Sequence, residues 1–210
     1  SQVVIFPTAI CIEAVATALK GTGAKWGVQN GYIESAGAFT GENSPATVKS
    51  LGGSFVLIGH SERRALFHEQ DGLLAKKVKF AQNLGLTPML CIGETLAERE
   101  AGQTLSVIDK QLKMDLEFFD SQKPLVIAYE PVWAIGTGKV ATTGQVAEVH
   151  TDIRKKLVHY KAEKTPILYG GSVKPQNAKE LGQLKDVDGF LIGGASLEVE
   201  SFAQICATEK

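Results

Sequence analysis

The sequence predicts an α/β fold in which parallel strands alternate with helices and close into a (β/α)8 barrel. Short apolar runs of β type recur down the 210 residues, and segments with helical periodicity separate them. Most of these runs are continuous rather than alternating, which is typical of strands that helices cover on both faces. Glycine and polar residues gather where the runs end. Together these observations predict βαβ units built on a parallel sheet.

Seven runs are predicted to be strands. They are VVIF (3–6), KWGVQ (25–29), SFVLIGH (54–60), TPMLCIGE (87–94), PLVIAYE (124–130), PILYGG (166–171) and GFLIGG (189–194).

Three segments between the strands repeat their apolar residues at helical spacing, so each is predicted to bury one face. For the third segment, Thr142 or Thr143 is the expected N-cap. The three apolar sets are Leu74, Val78 and Ala81; Leu105, Ile108, Leu112, Leu116 and Phe119; and Val146, Val149, Ile153, Leu157 and Tyr160.

A closed barrel is favoured over an open, doubly wound sheet. No GxGxxG follows an early strand, so the dinucleotide-binding version of the open sheet has no support. In a barrel, the site lies at the carboxyl ends of the strands, and the loops after the last two strands often hold a phosphate. The polar and glycine residues at those ends are His60, Glu94, Glu130, Gly170–Ser172 and Gly193–Gly194.

Residues 1–210 are predicted to form a single barrel domain that is incomplete at its N-terminus. Barrel closure normally needs eight strands in about 250 residues, and the sequence contains seven. One βα unit is therefore expected to be missing before the first strand.

The composition argues against several function classes. A net charge of −1 with interspersed acids and bases predicts neither a nucleic-acid partner nor a membrane partner. Cys11, Cys91 and Cys206 are scattered and lack CxxC spacing, so they are predicted to be reduced, buried thiols of a cytoplasmic protein. With the four histidines also dispersed, a metal enzyme is not expected.

Glu130 is a candidate general base. It ends an apolar strand and precedes Pro131, which stiffens the exit of the strand, while Gly136 and Gly138 allow the backbone to change conformation. This pattern predicts a hinged lid over a carboxylate, and a carboxylate shielded from water is a better proton acceptor. The alternative is a strand-end carboxylate that is simply solvated.

His60 is a candidate electrophile. Ser61 is predicted to cap a following helix, with Glu62 in the first turn. The positive potential at a helix N-terminus would keep the imidazole neutral, so that it can donate a hydrogen bond to a carbonyl. The alternative is a structural histidine. Glu62, Arg63 and Arg64 are expected to support the site, or else to form ordinary surface ion pairs.

Two glycine pairs close the last two strands. Each pair alone is a weak signal, because paired glycines also serve in tight turns. Together they suggest an anion site, in which Gly193 and Gly194 present backbone N–H groups and Ser172 adds a hydroxyl. A dianionic phosphate is the expected ligand.

The motifs GAFTGE, IGHSERR, CIGE, YEPVWAIGTGK, YGGSV and DGFLIGGASL occur in this order, and the chain resembles the triosephosphate isomerase family along essentially its whole length. The resemblance implies a TIM (β/α)8 barrel. It also implies interconversion of dihydroxyacetone phosphate and glyceraldehyde 3-phosphate in glycolysis and gluconeogenesis, without a cofactor.

The resemblance further assigns roles to residues. Glu130 would be the base and His60 the electrophile, a division of labour known for this family, with Glu62 in support. Residues 131–141 would form the closing lid. The remaining substrate-binding residues would be Gly136, Ser172, Gly193 and Gly194 for the phosphate, and Ile135 and Leu191 against Glu130.

A homodimer is also implied, in which the loop of residues 30–44 carries Thr40 toward the site of the partner. An ordinary surface loop is the alternative for this segment. The family's first strand ends in an Asn-x-Lys motif, and no predicted strand ends in one here. We therefore expect part of a normal enzyme; the alternative is a catalytically impaired, truncated relative that acts as a binding or structural protein.

Overall fold

The structure is a computed structural model that describes residues 2–137 and 139–208. The chain forms two compact units, Ser1–Leu90 with Lys113–Leu125, and Cys91–Leu112 with Val126–Lys210. The prediction of a single domain over residues 1–210 stays a prediction. Within the described residues, every helix is too short or too polar to cross a membrane.

The first unit contains four parallel strands and the helices between them. β1 (Val4–Ile5) pairs with β2 (Lys25–Val28), β2 with β3 (Phe55–Ile58), and β3 with β4 (Thr87–Ile92), whose last two residues belong to the second unit. The helices are α1 (Ile12–Ala18), α2 (Pro45–Ser50), α3 (Ser61–Leu66) and α4 (Asp71–Asn83).

The strands and helices of the first unit pack closely together. All four residues of β3 are buried, as expected for a strand with both faces covered. Gly27 of β2 lies so close to β3 that a Cβ atom would come within 2.5 Å of the Phe55 carbonyl oxygen. On α4, the predicted face of Leu74, Val78 and Ala81 is buried.

The second unit has the same plan. β5 (Val126–Tyr129) pairs in parallel with β6 (Ile167–Tyr169), and β6 with β7 (Gly189–Phe190). The end of β4 lies beside β5, because the Glu130 N–H donates to the Ile92 carbonyl at 2.8 Å. The helices are α5 (Leu96–Glu100), α6 (Thr104–Asp115, which ends in the first unit), α7 (Thr143–Leu157), α8 (Pro175–Gly182) and α9 (Val199–Cys206).

The cap of α7 was predicted from the sequence and is confirmed. Thr142 is the N-cap, and it forms a reciprocal capping box with Gln145. The face of Val146, Val149, Ile153 and Leu157 is buried behind this cap.

Three sequence predictions are wrong in detail. Tyr160, predicted on the buried face of α7, lies beyond the end of that helix in a short 3-10 helix and is only partly buried. The apolar face from Leu105 to Phe119 does not lie on one helix, because α6 ends at Asp115 and Leu105 is exposed. Cys11 is exposed rather than buried, because it ends a short 3-10 helix before α1 that presents it to solvent, and Cys206 is only partly buried. The predicted fold class is confirmed: in residues 2–137 and 139–208, seven parallel strands alternate with helices.

Candidate active site

His60 lies at the end of β3 and is itself the N-cap of α3. Its Nδ1 atom accepts a hydrogen bond from the Glu62 backbone N–H at 3.3 Å. A nitrogen that accepts from an N–H carries no proton, so this bond assigns the neutral tautomer with the proton on Nε2. The prediction that Ser61 caps the helix is wrong, because the imidazole occupies the capping position.

Glu62 contacts the imidazole through its backbone rather than its side chain. Its carboxylate Oε2 is 3.7 Å from the His60 Nδ1, and the Glu62 side chain is 69% exposed. With a neutral imidazole this approach is not an ion pair, so the backbone hydrogen bond is the constraint that Glu62 places on the ring. A supporting role for the Glu62 carboxylate stays a prediction.

The two arginines of α3 differ from each other. Arg63 pairs with Glu69 at 2.8 Å, and its guanidinium lies over the Phe67 ring. The surface ion pairs considered as an alternative are wrong for Arg64, because its guanidinium is largely buried and binds the fully buried Asp115.

Glu130 follows β5 in the second unit and is only 2% exposed. The alternative of a solvated strand-end carboxylate is therefore wrong. Backbone hydrogen bonds fix the segment on both sides, from the Glu130 N–H to Ile92 and from the Val132 N–H to the Glu94 carbonyl at 3.1 Å.

Two glycines make room for Glu130, a role that was not predicted for them from the sequence. A Cβ atom on Gly93 would lie 1.7 Å from the Glu130 carbonyl oxygen. A Cβ atom on Gly170 would lie 2.9 Å from the Glu130 Cγ and 3.6 Å from the Leu191 Cβ. Glu130 and Leu191 therefore both lie around Gly170. The available signal was the position of both glycines at strand ends.

Glu94 is a second buried carboxylate, with 0% exposure. It accepts hydrogen bonds from the Tyr129 hydroxyl at 3.1 Å, from the Trp133 indole at 2.9 Å and from Arg99 at 3.1 Å. The sequence indicated only a polar residue at a strand end here. In the structure, Glu94 links Trp133, in the first turn of the predicted lid, to Tyr129 at the end of β5.

The segment predicted to be the lid, residues 131–141, contains a 3-10 helix at Val132–Ala134; its role as a lid stays a prediction. Gly136 has a φ of +66° and is exposed, so glycine suits its backbone. Ile135 is half-buried. Gly138, the second predicted flexible position, lies outside the described residues.

The predicted phosphate-binding residues lie on two loops of the second unit. The Ser172 hydroxyl donates to the Ala134 carbonyl of the lid at 2.9 Å. Gly193 precedes the 3-10 helix Gly194–Leu197, and a Cβ atom on Gly193 or on Gly194 would meet no atom of the described residues within 4 Å. Space for a ligand is therefore open at both glycines.

Thr40 lies in the first unit, with His60 and Glu62. It is exposed, in the loop that the sequence assigned to a dimer interface. Among the described residues, no group of three or more His, Cys, Asp or Glu side chains is arranged to hold a metal ion.

The chain is similar to known proteins along nearly its whole length. A family model described as "Triosephosphate isomerase" matches residues 1–209. Triosephosphate isomerase of Bdellovibrio bacteriovorus is 61% identical over 206 residues, which are 98% of this chain and 86% of that protein. The chain belongs to the triosephosphate isomerase family.

Other members of the triosephosphate isomerase family are similar over the same extent. The enzyme of Magnetococcus marinus is 50% identical, with 97% of this chain and 83% of that protein covered. The enzyme of Clostridium novyi is 49% identical, with 100% and 86% covered. Family membership makes this chain an isomerase, and it identifies the parallel strands and helices as units of a TIM barrel.

Proposed function

We propose that the chain interconverts dihydroxyacetone phosphate and D-glyceraldehyde 3-phosphate through an enediolate, with Glu130 as the base. The observation that carries this proposal is the burial of Glu130, a strand-end carboxylate only 2% exposed, in a member of the triosephosphate isomerase family. A carboxylate that water does not solvate gains more from taking up a proton than a solvated one does.

In the proposed reaction, Glu130 removes a proton from the carbon that carries the hydroxyl, next to the carbonyl. Negative charge then develops on the carbonyl oxygen. His60 stabilises this charge by donating from Nε2, which its tautomer supports because Nδ1 accepts from Glu62. His60 then gives its Nε2 proton to this oxygen and takes the proton of the adjacent hydroxyl, which moves the negative charge to the second oxygen. Glu130 returns its proton to the neighbouring carbon, and the second oxygen becomes the new carbonyl.

Gly136, Ser172, Gly193 and Gly194 are proposed to bind the phosphate. The open space at Gly193 and Gly194 supports this role, because an anion can approach their backbone directly. The Ser172 hydroxyl donates a hydrogen bond to the Ala134 carbonyl in this structure. Donation to a phosphate would therefore require Ser172 to give up that bond, which couples phosphate binding to movement of the lid.

Ile135 and Leu191 are proposed to keep water from Glu130 when the lid closes. Leu191 is supported by its place beside Gly170, whose missing side chain also accommodates the Glu130 Cγ. Exclusion of water would protect the enediolate from losing its phosphate.

We further propose a cytoplasmic homodimer, with Thr40 in the interface. Ile10 is 95% exposed and the Phe39 ring is 39% exposed, so the first unit presents apolar side chains that a partner would cover. The free thiols of Cys11 and Cys206 fit a reducing compartment. Sedimentation velocity tests the dimer, and a monomer at micromolar concentration contradicts it; cell fractionation tests the location.

A coupled assay with glyceraldehyde 3-phosphate tests the activity. The Glu130→Asp variant retracts the carboxylate by one methylene, and kcat/KM should fall about 100-fold or more. Glu148→Asp, the same change at an exposed position of α7, is the matched control and should keep wild-type kinetics. Full activity in E130D would contradict the assignment of the base. A folded but inert wild-type chain would favour a catalytically silent relative.

A further inference from the structure

The turn that carries His60 is held by the guanidinium of Arg64. The Arg64 Nε donates to the Gly59 carbonyl at 2.9 Å. Gly59 has a φ of +69° and immediately precedes His60. A Cβ atom on Gly59 would lie 3.1 Å from the Arg64 Nη2, so the guanidinium packs directly against this turn. A shift of the guanidinium would therefore move the peptide from which His60 extends.

Arg64 is itself held by two carboxylates from separate helices. Its Nη1 binds Asp71, the first residue of α4, at 2.7 Å, and its Nη2 binds Asp115, the last residue of α6, at 2.5 Å. Three nitrogens of one planar group are thus directed at three different acceptors. A guanidinium can satisfy such a set at fixed angles, whereas the single ammonium group of lysine cannot.

Asp115 is the unusual member of this set, because its side chain is 0% exposed and the proposed mechanism does not use it. A buried charge of this kind is costly, and an apolar residue would often serve packing better. Burial raises the pKa of Asp115; Arg64 opposes this rise and keeps the group a carboxylate, and the neighbouring Asp71 adds to the rise. Among the residues that the structure describes, the Asp115 Oδ1 has no hydrogen-bond partner. Arg64 and Asp71 are the charged groups with the largest effect on this carboxyl.

We propose that Asp115 is a positioning residue for the isomerase reaction. Through the Arg64 guanidinium it holds the Gly59 carbonyl, and so it sets the orientation of the His60 imidazole toward the substrate. This inference rests on the proposed role of His60. A purely structural Asp115 would affect stability and leave the imidazole and the chemical step unchanged.

The test compares Asp115→Asn with Glu117→Gln. Both variants remove one negative charge near the end of α6, but Glu117 is exposed. We expect kcat of D115N to fall about tenfold while KM stays within about twofold, because misorientation affects the chemical step more than phosphate binding. The imidazole ¹⁵N resonances of His60, assigned by their loss in His60→Gln, should shift in D115N. E117Q should match the wild type in both measurements.

Arg64→Lys provides a second, independent variant. It keeps the positive charge but cannot hold Gly59 and both carboxylates together, so it should also lower kcat and shift the His60 resonances. A folded D115N or R64K with wild-type kcat and unchanged resonances overturns the proposal. Failure of both variants to fold also overturns the proposal, since Arg64 and Asp115 would then serve stability. If the wild-type chain is inert, the proposed function fails, and the resonances alone decide this inference.

Discussion

Acidification should destabilise this chain through one buried imidazole, that of His150 on α7. Burial lowers the pKa of His150 to about 4, and the acceptor carbonyl of Asp186 opposes this effect. A pKa shift of one unit corresponds to about 1.4 kcal/mol. Lowering the pKa from 6.5 to about 4 therefore changes the free energy of unfolding by about 3 kcal/mol once the unfolded imidazole is protonated. That is a large share of the free energy of unfolding of a typical domain.

The contacts of the ring explain the effect. His150 is 0% exposed, and its Nδ1–H donates to the Asp186 carbonyl at 3.0 Å. The Nε2 atom is buried and has no hydrogen-bond partner in the part of the chain that the structure describes. The Tyr129 ring packs edge-on, with its centroid 5.7 Å from that of His150. Protonation would therefore place a charge and an unpaired donor in an aromatic environment.

The direction follows from proton counting. As the pH falls below 6.5, the unfolded imidazole takes up a proton, while the folded one does so only near pH 4. The unfolded state binds more protons in this window, so stability is fully present above pH 6.5 and is lost as the pH falls toward 4.

Urea unfolding between pH 7 and pH 4.5 tests this in the wild type, in His150→Gln and in His159→Gln. The glutamine side chain of H150Q can still donate to Asp186 but does not titrate. The free energy of unfolding of this variant should therefore depend less steeply on pH, by up to about 1.4 kcal/mol per pH unit. His159 is exposed, and H159Q should run parallel to the wild type. Parallel curves for the wild type and H150Q would refute the reasoning.

Two further predictions concern the carboxylates of the second unit. Gly93→Ala would place a Cβ atom 1.7 Å from the Glu130 carbonyl oxygen, so the base must move; kcat should fall about 100-fold in the coupled assay, and wild-type kcat in a folded G93A would contradict this. Glu94→Gln leaves the Arg99 guanidinium without its carboxylate and should lower the free energy of unfolding by about 3 kcal/mol. It should also shift the emission of Trp133, which donates to Glu94. The exposed Glu100→Gln is the control, and equal stability of the two variants would contradict the prediction.

Local patterns predicted most of the secondary structure. All seven strands lie within the predicted apolar runs, and Thr142 caps α7 as its sequence context indicates. These features depend on residues close together in the chain, where periodicity and capping chemistry act directly. The α6 region was less predictable, because apolar residues continue past Asp115, where the helix ends.

The candidate site was predicted in its residues but not in its contacts. Glu130 and His60 were named from their positions at strand ends, whereas the imidazole turned out to cap α3 in place of Ser61. Gly93 and Glu94 gained their roles only from neighbours far along the chain. Trp133, for example, is 39 residues from the carboxylate that it contacts.

The sequence by itself predicted the alternation of strands and helices, the family, and Glu130 and His60 as the candidate base and electrophile, because local periodicity and contiguous motifs carry these signals. Only the tertiary structure decided that the Glu130 carboxylate is shielded from water, and that Asp115 reaches the His60 turn through Arg64. Burial and hydrogen-bond geometry depend on which distant segments pack together, and no local pattern of residues records that.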